Sequence, residues 1–389
     1  MPEVAGPTLD VDLYSRDALE DSTAIFATIR AAGPAVWLPR NRMWAIGRFD
    51  DVRAALRNDE VFVSGRGVAA NPITNVLGRR TTISSDGEQH TSQRRVLMRS
   101  LGARPVAAIR DHVEQEARRI VDELLAGPAF DGSADFASAL PIRVVADLVG
   151  INVTPKQALR WASNVFDGTG PLNRRTIAAL PVAIGLLLYT LRLNERKVRP
   201  GTWAASVFEA HRNGELNRLQ ARQMVLDFVV PSLDTTILAA SELLWQLGRD
   251  PDSWSRLRAD RSLIAAAVVE AVRLASPVRL FTRYVTRDVD VGGVTIPAGT
   301  RAALLYASAN LDETRFPEPE RFRLDRPSGH LGWGNGPHTC VGLHLAKLEM
   351  QALLAAMVER VNGIEVWGAT RTRNNALQGL ASFNARFTA

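Results

Sequence analysis

The sequence predicts a mainly α fold with small β-sheets at its margins. From about residue 88 to 275, apolar residues recur at the spacing of amphipathic helices. Strand-like alternation is confined to short pieces on either side of that stretch. Across the 389 residues there is no repeat, low-complexity tract or linker-like change of composition. The length allows two or three average domains, but this continuity favours one large domain spanning 1–389.

Taken in order, "AVWLP" and "RMWAIGRF", with "RN" between them, alternate as an early hairpin. "VAAIRDHVEQEARRIVDELLAG" keeps a helical period and closes on Gly127-Pro128, a helix stop. Short strands return in "FTRYVTRDVDVGGVTIPAGTRAALLY", and a helix is expected after Cys340 over "GLHLAKLEMQALLAAMVERV". The run "IAALPVAIGLLLYTL" (177–191) is shorter than the ~20 apolar residues of a spanning helix, and Pro181 and Gly185 interrupt it. A buried or pocket-covering helix is expected there, not a membrane contact.

Composition excludes several classes of function. With 46% hydrophobic and 23% charged residues, the chain can bury a sizeable core. The formal charge of +6 comes mostly from arginines scattered among acids, without a basic block or binding motif, so nucleic acid is not an expected partner. A single cysteine closes no intramolecular disulfide. The polar start "MPEVAGPTLDVDLYSRDALED" has neither the basic n-region nor the apolar h-region of a leader. A cytoplasmic location is expected.

That cysteine sits in "HLGWGNGPHTCVGLH", residues 330–344. Three readings of Cys340 are open from the residues alone. It is a buried thiol, or it shares a zinc ion with His338 and His344, or it is a thiolate ligand to haem iron. For the third, a helix N-terminus directs N–H groups and a positive dipole end at sulfur, favouring the thiolate. Gly334 and Gly336 would allow an unusual turn beside a flat ligand, and Gly342 a close helix approach. His338 could then reach a carboxylate at the ligand's edge.

The haem reading predicts companions, and the chain supplies them. Glu270 and Arg273 in "VVEAVRLASP" share a helix face, and Arg321 in "PEPERFRLDRP" could complete a buried network. "DGEQHTSQRRVL" places His90 and Arg94 four apart, a cationic clamp suited to carboxylates. "FTRYV" puts Arg283 in a strand. "VVPSLDTTILAAS" carries Asp234 and Thr235 inside an apolar helix, an odd choice unless they serve a proton path.

This ordered set, from His90/Arg94 through the Pro-Glu-Arg-Phe at 319–322 to the cysteine loop, resembles the bacterial, soluble cytochrome P-450 family of haem-thiolate monooxygenases. The resemblance covers nearly the whole chain and implies the cytochrome P-450 fold, with haem b between a long central helix and the cysteine loop. It implies Cys340 as proximal iron ligand, with His90, Arg94, Arg283 and His338 on the propionates. Glu270, Arg273 and Arg321 would lock the proximal core, and Asp234 and Thr235 would deliver protons. Electrons would come from a ferredoxin and its reductase, with Arg95, Arg99 and Lys347 as a candidate docking face.

Two departures from the family pattern stand out. Trp333 replaces a phenylalanine seven residues before Cys340, and Pro231-Ser232 replaces Ala-Gly before the acid. Proline gives no N–H to the carbonyl of Asp227, so the central helix should kink or open there. Counting back from Thr235, Asp227, Val230 and Pro231 share its side of the helix, and Val278 would face them from another segment. Asp227, Val230 and Val278 are therefore candidate substrate contacts, Asp227 as a polar handle for an N–H group. The expected substrate is a small aromatic or nitrogen-containing molecule. Alternatives are oxidative coupling of a cyclic-dipeptide-type substrate and a haem-binding or sensor protein without turnover.

Overall fold

A computed structural model describes residues 6–79, 81–327 and 329–389 of the chain, leaving the first five residues of the N-terminal stretch outside the description. Helices form the body and three small sheets lie at its edges. Local signals set the helix starts that matter most. Thr154 accepts a hydrogen bond from Gln157 N ahead of Pro155–Gly168, with proline in the first turn. Asn173 caps Arg174–Arg192 by accepting from the N–H groups of Arg175 and Thr176. Asn217 and Gln220 form a reciprocal capping box for Arg218–Asp227.

The early hairpin forms between Val36–Leu38 and Met43–Ile46, with Trp37 opposite Trp44 and their rings 5.7 Å apart. It becomes the edge of a five-stranded sheet, in which Met43–Ile46 pairs in parallel with Arg301–Leu304. Phe281–Val285 lies next in that sheet, and Val289–Val291 pairs separately with Val294–Ile296. The C-terminal sheet of Phe130–Asp131, Leu380–Thr388 and Gly363–Arg371 was not legible in the sequence. Its long strands have mixed inward and outward burial, and their partner at Phe130 is remote in the chain.

Other expectations are corrected. The helix anticipated from residue 106 is interrupted at Ile109, between Ala103–Ala108 and Arg110–Leu125, where Ile109 turns onto the main core. The run at 177–191 does form a helix, Arg174–Arg192, but it is neither buried nor part of the cavity wall. It packs on Pro155–Gly168 through one face, with the Trp161 and Tyr189 rings 4.8 Å apart, and its other face is open to solvent.

The largest apolar core joins Val230–Arg249, Ile264–Ala275 and Leu343–Arg360. Within it lies a charged knot. Glu270 and Arg273 are nearly inaccessible and pair twice, Nε to Oε2 and Nη2 to Oε1, each at 2.8 Å. The third member is Arg326, whose Nε donates to Glu270 Oε1 at 2.8 Å, and not Arg321. Arg321 stands on the preceding turn with its side chain 70% exposed, 3.4 Å from Glu318. The chain reverses there through Glu318, at φ 49°, and returns Arg326 to the core. Arg326 also donates to the carbonyls of Pro317, Glu318 and Arg321, pinning the turn that carries it.

Removing one partner of such a buried group strands the other, at a cost of about 3–5 kcal/mol. Arg326→Ala should lower the urea midpoint of the haem-loaded protein accordingly. Arg321→Ala should change stability by less than about 0.5 kcal/mol, as for an ordinary surface site. The reverse order would show that Arg321 holds the core.

Candidate active site

The cysteine loop hangs from the charged knot. Arg273 donates to Asn310 O at 2.7 Å, and Asn310 Oδ1 accepts the Leu331 N–H at 2.7 Å. Gly334 N then closes on Leu331 O and Cys340 N on Trp333 O, at 2.9 and 2.8 Å. Gly334 and Gly336 both have φ of 70°, where side chains are strained. At Gly336 a Cβ would also lie 2.5 Å from Leu56 O, so the loop can approach helix Phe49–Arg57 only through glycine. At Gly342 a Cβ would meet Cys340 Sγ at an ordinary 3.9 Å.

Cys340 lies just before helix Leu343–Arg360, and its side chain opens into an internal cavity. Burial pushes the thiol upward, while the Gly342 N–H, the charge of Arg94 and the Leu343 N–H favour the thiolate. His90, Arg94, Arg283 and His338 line the same cavity. Arg94 donates to Thr339 O at 2.6 Å, Arg283 donates to Thr282 O at 3.0 Å, and the His90 and His338 rings stack at 4.0 Å. Burial, reinforced by the charges of His338 and Arg94, holds His90 down to about 4, so its ring is neutral near pH 7.

His338 Nε2 is buried without a hydrogen-bond partner and sits 3.6 Å from Asp86 Oδ1. Burial would raise Asp86, but His338 and the N–H groups of Gly65 and Ser64 outweigh it and keep the carboxyl below its usual range. These residues fit a haem. A sulfur with N–H support faces the cavity, and donors and cations suited to two carboxylates cluster beside it, one buried nitrogen still unmatched. The zinc reading gains nothing: among the described residues, no group of three His, Cys, Asp or Glu side chains is placed to hold a metal ion.

The opposite wall comes from the interrupted central helix. Pro231 has no N–H for the Asp227 carbonyl, and the helix breaks at residues 228–229 between Arg218–Asp227 and Val230–Arg249. Ser232 Oγ donates to Phe228 O at 2.6 Å, and Thr235 Oγ1 donates to Pro231 O at 2.7 Å. Thr235 lines the cavity; Asp234 does not, and burial raises its carboxyl to about 7. The helical count that placed Val230 in the pocket fails, because five residues turn a helix by roughly 140° and so Val230 points away from the side of Thr235. Val230 packs instead with Trp161 and Val182, outside the cavity wall.

Asp227 and Val278 do line the cavity. The partner of Asp227 within the protein comes from outside its own helix, where the nearby Arg222 donates its Nε to Leu193 O. Thr82 is that partner, with Oγ1 donating to Asp227 Oδ2 at 2.6 Å. Burial raises Asp227 to about 6, and the Thr82 hydrogen bond opposes the shift. Sequence reasoning missed Thr82, which comes from a 3-10 turn 145 residues away. It also missed Phe281 on the cavity wall, although strand alternation places Phe281 on the same face as Arg283.

Of the proposed docking cations, Arg95 is exposed, whereas Arg99 is already engaged by both Glu215 oxygens at 2.9 and 2.6 Å. Lys347 sits over the Trp333 ring, 4.8 Å from its centroid. His330 also packs against that indole, at 4.8 Å between ring centroids.

The geometry matches that of known proteins. The family model described as Cytochrome P450 matches residues 192–363. Cytochrome p450 CYP199A2 of Rhodopseudomonas palustris is 34% identical, over 98% of this chain and 95% of its own length. Cytochrome P450 monooxygenase PikC of Streptomyces venezuelae is 30% identical, over 91% and 87%. The solved structure of Mycobacterium marinum cytochrome P450 CYP268A2 in complex with pseudoionone superposes with a TM-score of 0.87 at 29% identity, covering 98% of this chain and 99% of that one. The chain belongs to the cytochrome P450 family: its fold is the P450 fold, its cofactor is haem b, and it is an oxidoreductase of the monooxygenase type.

Proposed function

We propose that this P450 oxidises a small, largely apolar aromatic or nitrogen-containing molecule whose N–H is held by Asp227. The observation that carries this reading is one buried carboxyl in the wall of the cavity that Val278, Phe281 and Cys340 also line. Thr82 takes Oδ2 and leaves Oδ1 to accept from a ligand. Relatives named for linalool, steroid and branched-lipid oxidation support an apolar substrate in general and leave its class open.

Cys340 would hold the haem iron, and His90, Arg94, Arg283 and His338 its propionates. The bound haem supplies oxygen activation, with thiolate donation favouring O–O cleavage. Thr235 keeps a hydroxyl at the cavity edge, fixed by its bond to Pro231 O. Its chain neighbour Asp234 lies outside the cavity wall and retains its proton to about pH 7, which suits a proton donor near neutrality. The apolar wall excludes bulk water, and a ferredoxin with its reductase supplies electrons.

In the test of the cofactor site, reduced wild-type protein with carbon monoxide should give the red-shifted Soret band of a thiolate, and Cys340→Ser should lose it. An unchanged band in the variant would remove Cys340 from the iron. Thr235→Ala should keep substrate affinity while diverting electrons to peroxide, with turnover falling by on the order of 10²-fold. Full coupling in that variant would transfer the role to Ser232. For the handle, cationic aromatic amines should bind more tightly as pH rises through about 6, where Asp227 becomes charged. Asp227→Asn should flatten that profile, and Asp227→Leu should also weaken neutral amides. Tight benzoate binding with an undiminished amine affinity in Asp227→Leu would place the handle elsewhere.

A further inference from the structure

Helix Arg174–Arg192 is apolar on both sides. Its inner side buries Thr176, Ala179, Val182 and Thr190. A helix of this composition belongs inside a core, yet this one has no covering layer. Ile177, Leu180, Ile184, Leu187, Leu188 and Leu191 are each between 37% and 58% exposed. Between Ile177 and Leu191 every exposed position is apolar. The patch continues onto helix Pro72–Leu77 through Leu172, which is 54% exposed, and through Ile73, Val76 and Leu77, at 46–58%. Asn71 and Thr74 tie the start of that short helix to the carbonyls of Gly168 and Gly170, in the connection that leads through Leu172 into Arg174–Arg192. An exposed aliphatic area of this extent marks an interaction site.

The charges around it select the occupant. The helix contains no acidic residue, Arg174 and Arg192 are exposed at its two ends, and Arg196 and Lys197 are exposed just beyond. The nearby Glu195 is taken by Arg212. In a twofold pairing of two such helices running antiparallel, the cationic end of each would meet the cationic end of the other, with no acid on the helix to compensate. An aliphatic stripe between arginines instead suits a lipid interface, where leucines enter the acyl boundary and guanidiniums reach the phosphates. We propose that the face formed by Ile177–Leu191, Leu172 and helix Pro72–Leu77 docks on an anionic lipid bilayer, the helix lying along its surface. The inner face stays packed on Pro155–Gly168, which supplies Phe166 to the cavity wall, so docking would place the substrate chamber close to the membrane surface.

The test is co-sedimentation of haem-loaded protein with vesicles of phosphatidylcholine alone or mixed with phosphatidylglycerol. Binding should require the anionic lipid and weaken with salt. The double variant Ile184→Glu/Leu188→Glu should lose at least about tenfold in partitioning. Arg174→Gln/Arg192→Gln should lose roughly tenfold and most of the salt dependence. The thiolate Soret band of the reduced carbon monoxide complex reports that each variant is folded. Equal binding by wild type and variants would overturn the proposal. So would absence of lipid binding together with a solution dimer that Ile184→Glu/Leu188→Glu converts to monomer, which would make the face an interface between copies.

Discussion

The carboxylate of Glu270 is the point on which the site depends. A buried charge is tolerated only when its oxygens are fully matched, and here Arg273, Arg326 and the Arg323 N–H converge on them. Each partner is also a tie. Arg273 reaches Asn310, Asn310 reaches Leu331, and Leu331 starts the turn that ends at Cys340. The cysteine is thus placed by a chain of hydrogen bonds rooted in the core, and two left-handed glycines let the loop follow it.

On the other side of the cavity the controlling feature is an absence. Pro231 lacks an N–H, so the central helix cannot run through Asp227 without an orphaned carbonyl. The chain resolves this by breaking at residues 228–229, and Ser232 and Thr235 use their hydroxyls on neighbouring carbonyls. Beside the break Asp227 lines the cavity, and Val230 packs outside its wall. Two carboxyls raised by burial, Asp227 at about 6 and Asp234 at about 7, stand seven residues apart, the first in the cavity wall and the second outside it.

The proximal side shows the same economy of charge. Trp333 contacts both Lys347 and His330, and burial, with the charges of Arg273 and Lys347, depresses His330 to about 3, so this ring stays neutral. Arg99 is occupied by Glu215, which leaves Arg95 as the more available cation near the cysteine side.

By itself the sequence determined the helical body, the early hairpin, the helix after Cys340 and the meeting of His90, Arg94, Arg283 and His338. The first three follow from period and turn chemistry, which act over a few residues. The last was implied only by the family resemblance of the ordered motifs and not by any local spacing. The tertiary structure decided which arginine completes the Glu270 knot, because Arg321 and Arg326 both follow the turn at Glu318. It also decided that Thr82 meets Asp227, that residues 363–388 form a sheet with Phe130, and that one face of Arg174–Arg192 stays uncovered. Which of the two arginines returns to the core, like the other three outcomes, depends on where a distant segment comes to lie, and neither local propensity nor spacing carries that information.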